Sequence, residues 1–262
     1  MAILLFLVCL AASALGAVAG FGGGVIIKPV VDALGILPVS TASFLSGCTV
    51  LGMSASSLLR GRHDGIKVQM KTSTPLAVGA ALGGLGGKEC FEWIRRSYGN
   101  ESMLGLIQTA LLLVTTIMVF FYVMMKHRLR TLRVENWLLC LLIGLFLGGI
   151  SSFLGIGGGP INMAVLFFCF SMDVKTAAKN SIYIILFSQI FSLGWTMLAG
   201  TVPDFSCSSL LLMMAGGIAG AIVGAELSKR MDSRKVEKLL YGLMLVVIAI
   251  NLYNFYIFSC TL

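Results

Sequence analysis

The sequence alternates long apolar segments with short polar links, and this pattern limits what the chain can fold into. Ten apolar segments are present, five on each side of a basic stretch at residues 126–133. A membrane-spanning helix needs about 20 mostly apolar residues, so most of these segments can cross a bilayer. Only 11% of the 262 residues are charged and 58% are hydrophobic, whereas soluble domains are about 25% charged. The pattern predicts an all-α polytopic membrane protein and excludes a soluble enzyme, a disulfide-rich secreted module and a disordered chain.

The predicted segments divide into two sets of five. In the first set they cover residues 1–19, 25–37, 41–59, 72–87 and 103–125. In the second set they cover residues 137–154, 160–170, 176–199, 208–225 and 236–258. We therefore predict one membrane domain made of two repeats, residues 1–133 and residues 134–262.

The two halves share motifs at a nearly constant spacing. Residues 20–24 (GFGGG) match residues 155–159 (GIGGG) at an offset of 135. The same offset pairs Val39, Thr41, Ala42 and Ser46 with Val174, Thr176, Ala177 and Ser181. An offset of 137 pairs Gly79, Gly83, Gly87 and Glu89 with Gly216, Gly220, Gly224 and Glu226. A nearly gapless run of matches indicates an internal duplication, and the glycines spaced four apart predict close packing between helices.

The distribution of lysine and arginine predicts the orientation in the membrane. Of the 19 Lys and Arg residues, 15 lie in four links, at residues 60–71, 126–133, 173–179 and 226–238. We expect these links in the cytoplasm, and Lys88, Arg95 and Arg96 in a loop on the opposite side. Because each half has five segments, the halves are then inverted, and both termini lie on the non-cytoplasmic side of the cell membrane. The formal charge of +8 thus reflects topology, with no nucleic-acid partner.

Inverted repeats are typical of secondary transporters, which bind substrate near the middle of the membrane, between the repeats. In each half a triple glycine precedes an apolar segment, 25–37 or 160–170, that is too short to cross a bilayer comfortably. Such segments are expected as half-helices of re-entrant hairpins, which membranes tolerate where protein or a wet cavity surrounds them. Fully spanning hairpins are the alternative.

The start of each half-helix is a predicted anion site. Backbone N–H groups there lack intrahelical partners, glycine lets a ligand approach closely, and the helix dipole favours negative charge. The predicted substrate-binding glycines are Gly22, Gly23, Gly24, Gly157, Gly158 and Gly159. The alternative is that these glycines only permit tight packing of a hairpin.

Polar residues inside the apolar segments complete the predicted site. Lys28 and Asp32 are spaced for an ion pair on one helix face, and charges within a membrane often serve function. Lys28 is a candidate to attract an anion. Asp32, the only acid within a predicted apolar segment, is the candidate for proton coupling. A purely structural pair is the alternative. Further substrate-binding candidates are Ser43, Ser46, Asn162, Asn180, Ser181 and Gln189, although serines often bond to their own helix instead.

The sequence contains no pattern typical of an enzyme, an ATP site or a metal site. Its seven cysteines are scattered without metal-ligand spacing and are predicted to be small core residues. We therefore predict no catalytic residue, no bound metal and no cofactor.

The doubled glycine motif in two related membrane halves resembles the sulfite exporter TauE/SafE family of permeases. The stretches that follow, residues 25–29 (VIIKP) and 173–181 (DVKTAAKNS), are also similar to that family, and the resemblance covers nearly the whole chain. It implies transport of a sulfur-containing anion such as sulfite, a sulfonate or sulfoacetate. Pro29 matches the family's usual proline after the glycines, whereas in the second half Pro160 follows the glycines at once and Ala164 stands at the matching position.

We therefore predict a secondary transporter of a small anion that works by alternating access within a lipid bilayer. Assembly as a homodimer is left open. Two other functions are left open. A cation or metal permease would use Asp32 and backbone carbonyl groups. A membrane scaffold would carry no solute, although a mere anchor does not need broken half-helices.

Overall fold

A computed structural model describes residues 2–61, 66–98, 101–126 and 131–260, and within these ranges the chain is all α-helical. In the first half lie α1 (Ala2–Ala19), α2 (Gly24–Leu34), α3 (Val39–Arg60), α4 (Met70–Tyr98) and α5 (Glu101–Met125). In the second half lie α6 (Trp137–Leu154), α7 (Pro160–Phe170), α8 (Val174–Leu198), α9 (Cys207–Arg230) and α10 (Ser233–Cys260). The predicted all-α class is confirmed. The basic links at residues 60–71 and 126–133 lie partly outside the described residues.

Helix boundaries follow local capping signals. The Asn136 side chain accepts a hydrogen bond from the Leu138 N–H at 2.9 Å and so starts α6, and Asp173 caps α8 in the same way. Gly155 ends α6 in the left-handed conformation with φ 66°, where glycine is favoured. Pro160 then starts α7, because its missing N–H and fixed φ suit a first helical position.

The largest difference from the predicted segments concerns α4, which continues through Tyr98 instead of ending near residue 87. The prediction that Lys88, Arg95 and Arg96 lie in a loop is therefore wrong, since all three lie on this helix. Two ion pairs within the helix explain the extension. Glu92 Oε1 lies 3.8 Å from Lys88 Nζ, and Glu92 Oε2 lies 3.3 Å from Arg95 Nη1.

In the described part of the chain, six helices are long and apolar enough to cross a membrane, namely α3, α5, α6, α8, α9 and α10. Large apolar side chains lie exposed on the outer surface, among them Met118, Phe146 and Leu211, as expected where lipid replaces water. Helices α2 and α7 have 11 residues each. They are therefore about 16 Å long, roughly half of a 30 Å hydrocarbon core. The chain is a multi-pass membrane protein.

The two halves of the chain pack by exchanging helices. Helix α1 lies along α9, and α4 lies along α6, so each of these pairs takes one helix from each half. The contact of α3 with α9 corresponds to that of α8 with α4, and the contact of α2 with α10 to that of α7 with α5. Each of these contacts thus has a counterpart five helices along the chain, which interlocks the two sets of helices.

Glycines bring α4 unusually close to α6, and α9 unusually close to α1. A side-chain carbon added at any of six glycines would collide with a backbone carbonyl oxygen of the facing helix. Between α4 and α6, the contacts are Gly79 with Leu141, Gly83 with Leu145, and Gly87 with Gly149. Between α9 and α1, they are Gly216 with Phe6, Gly220 with Leu10, and Gly224 with Ala14. The predicted role of these glycines in close helix packing is confirmed.

We expect Gly83→Ala to destabilise the protein, because the added methyl group would strike the Leu145 backbone, which cannot rotate away. Overpacking of this kind lowers the free energy of unfolding by about 1–3 kcal/mol. Gly86→Ala on the same helix is the matched control, since no atom lies within 4 Å of the added carbon. Thermal unfolding in detergent compares the two variants, and equal melting temperatures would contradict the packing role of Gly83.

Candidate functional site

The two glycine breaks meet inside the protein, and we call residues 20–24 and 155–159 together the glycine junction. A carbon added at Gly24 would collide with the Ile156 carbonyl oxygen. A carbon added at Gly159 would lie 3.2 Å from Val25 Cγ2. The N-terminus of α2 and the N-terminus of α7 therefore lie at one place, each beside the loop that leads into the other.

Helices α3 and α8 flank the glycine junction at matching positions. A carbon added at Gly22 would lie 3.3 Å from Ile185 and 3.6 Å from Val50, and one added at Gly157 would lie 2.8 Å from Val50. Val50 and Ile185 are separated by the same 135 residues that relate the two glycine motifs. The spatial arrangement thus follows the sequence repeat.

The two copies of the motif share a backbone conformation at first and then differ. Gly22 and Gly157 have φ values of 72° and 70°, a region that favours glycine. Gly23 has a helical φ of −62° and Gly24 starts α2, but their counterparts Gly158 and Gly159 have φ values of 141° and 154°. Pro160 explains why Gly159 is not helical, because the residue before a proline is driven out of the helical region.

Polar groups with unused hydrogen-bonding capacity surround the glycine junction. The Gly23 N–H donates to Met53 Sδ at 3.1 Å, and a thioether is a weak acceptor. Ser13 Oγ, beside Gly23, and Asn162 Oδ1, on the side chain beside Gly158, are buried and have no hydrogen-bond partner among the described residues. The same holds for Ser46 Oγ on α3, one turn before Val50. Buried polar atoms are nearly always paired, so this group has the capacity to bind a ligand. Ser13 was not predicted, because its place beside Gly23 depends on how α1 folds back on the break.

The other predicted residues fall into two groups. Ser181 Oγ donates to the Gly20 carbonyl at 2.6 Å, which ties α8 to the first break. Ser43 lies against Gly155, and Gln189 lies against Gly157, so both border the second break. Asn180 is engaged elsewhere. Its side-chain oxygen accepts from the Gln69 N–H and the Ser73 hydroxyl, and its amide nitrogen donates to the Thr176 carbonyl. Asn180 thus fastens the start of α4 to α8.

Lys28 and Asp32 form the ion pair that their spacing predicts. Lys28 Nζ lies 2.6 Å from Asp32 Oδ2, and the two side chains are only 3% and 2% exposed. Asp32 Oδ1 has no partner in the described part of the chain. Asp32 is the only acid within a predicted apolar segment, but it is not the only buried acid, because Glu92 on α4 is also buried. Glu92 lies beyond residue 87, where the predicted segment ends, but within α4.

Two small clefts lie at opposite ends of α3 and α8. The Lys88 cleft, of about 20 Å³, is lined by Ser43, Gly47, Lys88, Ser152, Gln189 and Thr196, among others. The Lys179 cleft, of about 40 Å³, is lined by Ala17, Ser57, Gly61, Ala178, Lys179 and Ala225, among others. Ser43 and Ser57 are 14 residues apart on one helix, which separates the clefts by about 20 Å. The glycine junction contacts the middle of α3 and α8, between the two clefts.

The residues that line the two clefts stand at the same spacings that pair the motifs of the two halves. At the offset of 135, Ala17 matches Ser152, Ser43 matches Ala178, and Gly61 matches Thr196. At the offset of 137, Lys88 matches Ala225. Sequence reasoning missed Lys88 and Ser152 as site residues. The sequence does contain one indication that Lys88 lies on a helix. Lys88 and Glu92 follow directly after the glycines spaced four apart and have the i,i+4 spacing of an ion pair.

Removing one member of the Lys28–Asp32 pair is expected to destabilise the fold. Lys28→Met leaves a buried carboxylate without its ammonium partner, which lowers the free energy of unfolding by about 3–5 kcal/mol. The double variant Lys28→Met/Asp32→Asn removes both charges and should recover most of that loss. Unfolding in detergent measures both effects. A double variant that stays folded but loses all transport would contradict a purely structural pair.

Comparison with known proteins gives one clear result. The chain matches the protein family described as Sulfite exporter TauE/SafE over residues 5–252. We found no significant match among curated proteins and none among solved structures. The matched range includes both glycine breaks and nearly all of the ten helices. The chain therefore belongs to the sulfite exporter TauE/SafE family of membrane transporters.

Proposed function

We propose that this protein is a secondary transporter that carries a small anion, such as sulfite or a sulfonate, through the glycine junction. The observation that carries this proposal is the meeting of the α2 and α7 N-termini beside each other's glycine loops. Two helix N-termini directed to one place make a favourable environment for negative charge. The family relationship supports the same substrate class.

The groups at the glycine junction suit an oxyanion. The Gly23 N–H is held by a thioether sulfur, and an anion is a far stronger acceptor than sulfur. The hydroxyls of Ser13 and Ser46, which have no partner in the described chain, can donate to further oxygens of the same anion. Binding there would replace weak or absent hydrogen bonds with charge-assisted ones.

Alternating access follows from the proposed inverted relationship of the repeats. The Lys88 cleft and the Lys179 cleft lie on opposite sides of the glycine junction and are equivalent in the repeat. When each repeat adopts the conformation of the other, the open cleft closes and the closed cleft opens. The short lengths of α2 and α7 support re-entrant hairpins that stay inside the protein while the surrounding helices move.

The distribution of positive charge assigns sides to the two clefts. The Lys179 cleft lies near the links expected in the cytoplasm, because Arg60 ends α3 and Lys175 lies in the first turn of α8. We therefore place the Lys88 cleft on the non-cytoplasmic side, together with both chain termini. This placement rests on the rule that positive loops stay inside.

Asn162→Leu is the most informative test of the site. The change removes an amide whose nitrogen lies beside Gly158 and can donate to an anion, and whose oxygen has no hydrogen-bond partner in the described chain, so we expect the protein to fold normally. If Asn162 contacts the anion, flux should fall about tenfold or more, as expected when a hydrogen bond to a charged ligand is lost. The measurement is uptake of labelled sulfite or sulfate into liposomes that contain the purified protein.

Asn251→Leu is the matched control, because this buried amide donates only within α10, to the Val247 carbonyl. Its flux should equal that of the wild type. Equal flux in Asn162→Leu as well would place the anion site elsewhere, and no flux of any anion by the wild type would contradict the transport function. Larger glycine substitutions are less informative, because a side chain at Gly158 would press on Ile185 and destabilise the fold.

A further inference from the structure

Lys88 is a buried cation whose ammonium makes no hydrogen bond within the described part of the chain. The residue is only 8% exposed. Its ammonium lies 3.8 Å from Glu92 Oε1, beyond hydrogen-bond distance, and 4.5 Å from the centre of the Phe91 ring. An ammonium carries three donors, and within the described chain no acceptor lies within bonding distance of these donors. Burying an ammonium in this way is unfavourable unless something binds it.

The acid beside Lys88 is shared with a second cation. Glu92 Oε2 lies 3.3 Å from Arg95 Nη1, closer than Glu92 lies to Lys88. Arg95 also lies 3.9 Å from Glu101 Oε1. The carboxylate of Glu92 therefore stays paired if Lys88 is removed, and Lys88 keeps part of its charge for a ligand.

Two buried hydroxyls share the cleft with Lys88. Ser43 and Ser152 are each 5% exposed, and neither Oγ atom has a hydrogen-bond partner among the described residues. Both line the Lys88 cleft together with Gln189. A cation and two unused hydroxyl donors around one cavity are the groups that a small oxyanion requires.

The Lys179 cleft has no counterpart of the Lys88 ammonium or of the Ser43 and Ser152 hydroxyls at the matching positions. Alanine occupies the position that matches each of them, with Ala225 for Lys88, Ala178 for Ser43 and Ala17 for Ser152. Lys179, one of two lysines that line that cleft, is already engaged, because its Nζ donates to the carbonyl oxygens of Gly61 and Ile66. Lys175, Ser57 and Ser228 also line the Lys179 cleft, so the comparison between the two clefts concerns only the three matched positions.

We propose that Lys88, Ser43 and Ser152 form an anion-binding site at one mouth of the transport path, and this proposal rests on the proposed function. The ligand is a small oxyanion of the transported class. Lys88 balances its charge, and the two serine hydroxyls donate to its oxygens. A cavity of about 20 Å³ holds about one water, so the cleft widens when the anion enters.

The test compares three variants of the full-length protein in binding and in flux. Lys88→Met should weaken the binding of sulfite and sulfate by about 10- to 100-fold, the range expected for a lost bond to a charged group. Lys88→Arg keeps the charge and should recover most of the affinity. Lys71→Met, at the exposed start of the same helix, is the matched control and should bind like the wild type. Calorimetry in detergent measures binding, and liposome uptake measures flux.

The outcomes separate this site from the proposed function. If the wild type transports sulfite and Lys88→Met binds and transports equally well, the Lys88 site is overturned while the transport function stands. If the wild type carries no anion, the proposed function fails first. If Lys88→Met does not fold, the double variant Ser43→Ala/Ser152→Ala decides the question, because it removes only hydroxyls that lack partners. Unchanged sulfate affinity in that double variant would overturn the site.

Discussion

A helix that is interrupted inside a membrane leaves backbone N–H and C=O groups that lipid cannot satisfy, and the rest of this structure depends on that constraint. Both interruptions are buried against each other, and the middle of α3 and the middle of α8 lie against them. Close approach of the two breaks requires glycine at Gly24, where a side chain would strike the Ile156 carbonyl. The unsatisfied helix ends are thereby confined to one place in the protein, where the substrate is proposed to bind.

Local signals made much of the fold predictable from the sequence. Helices α6 and α7 have the bounds that were predicted, because Asn136, Gly155 and Pro160 mark starts and stops through their own backbone chemistry. The end of α4 was missed because Lys88, Arg95 and Glu92 make that stretch polar enough to resemble a loop. Glu92 lies one turn from each of the two cations along the helix, and this arrangement is visible only when the helix is already assumed.

The candidate site was predictable in part. The glycines identified the two breaks, and the offset of 135 residues indicated that the breaks correspond. The polar groups around them were harder to find, because Ser13 and Ser152 become important only through helices that pack from elsewhere in the chain. Asn180 is a different case. An amide in an apolar segment suggested a ligand contact, and in the structure two of its hydrogen bonds join α8 to the start of α4 while the third lies within α8.

The exchange of helices between the two halves also affects how the chain can be made. Neither α1 nor α4 can cover its glycine contacts until α9 and α6 have been synthesised, so the first repeat waits in the bilayer with its closest packing surfaces uncovered. On the proposed inverted topology, a single repeat could bury those surfaces only against a second copy inserted in the opposite direction.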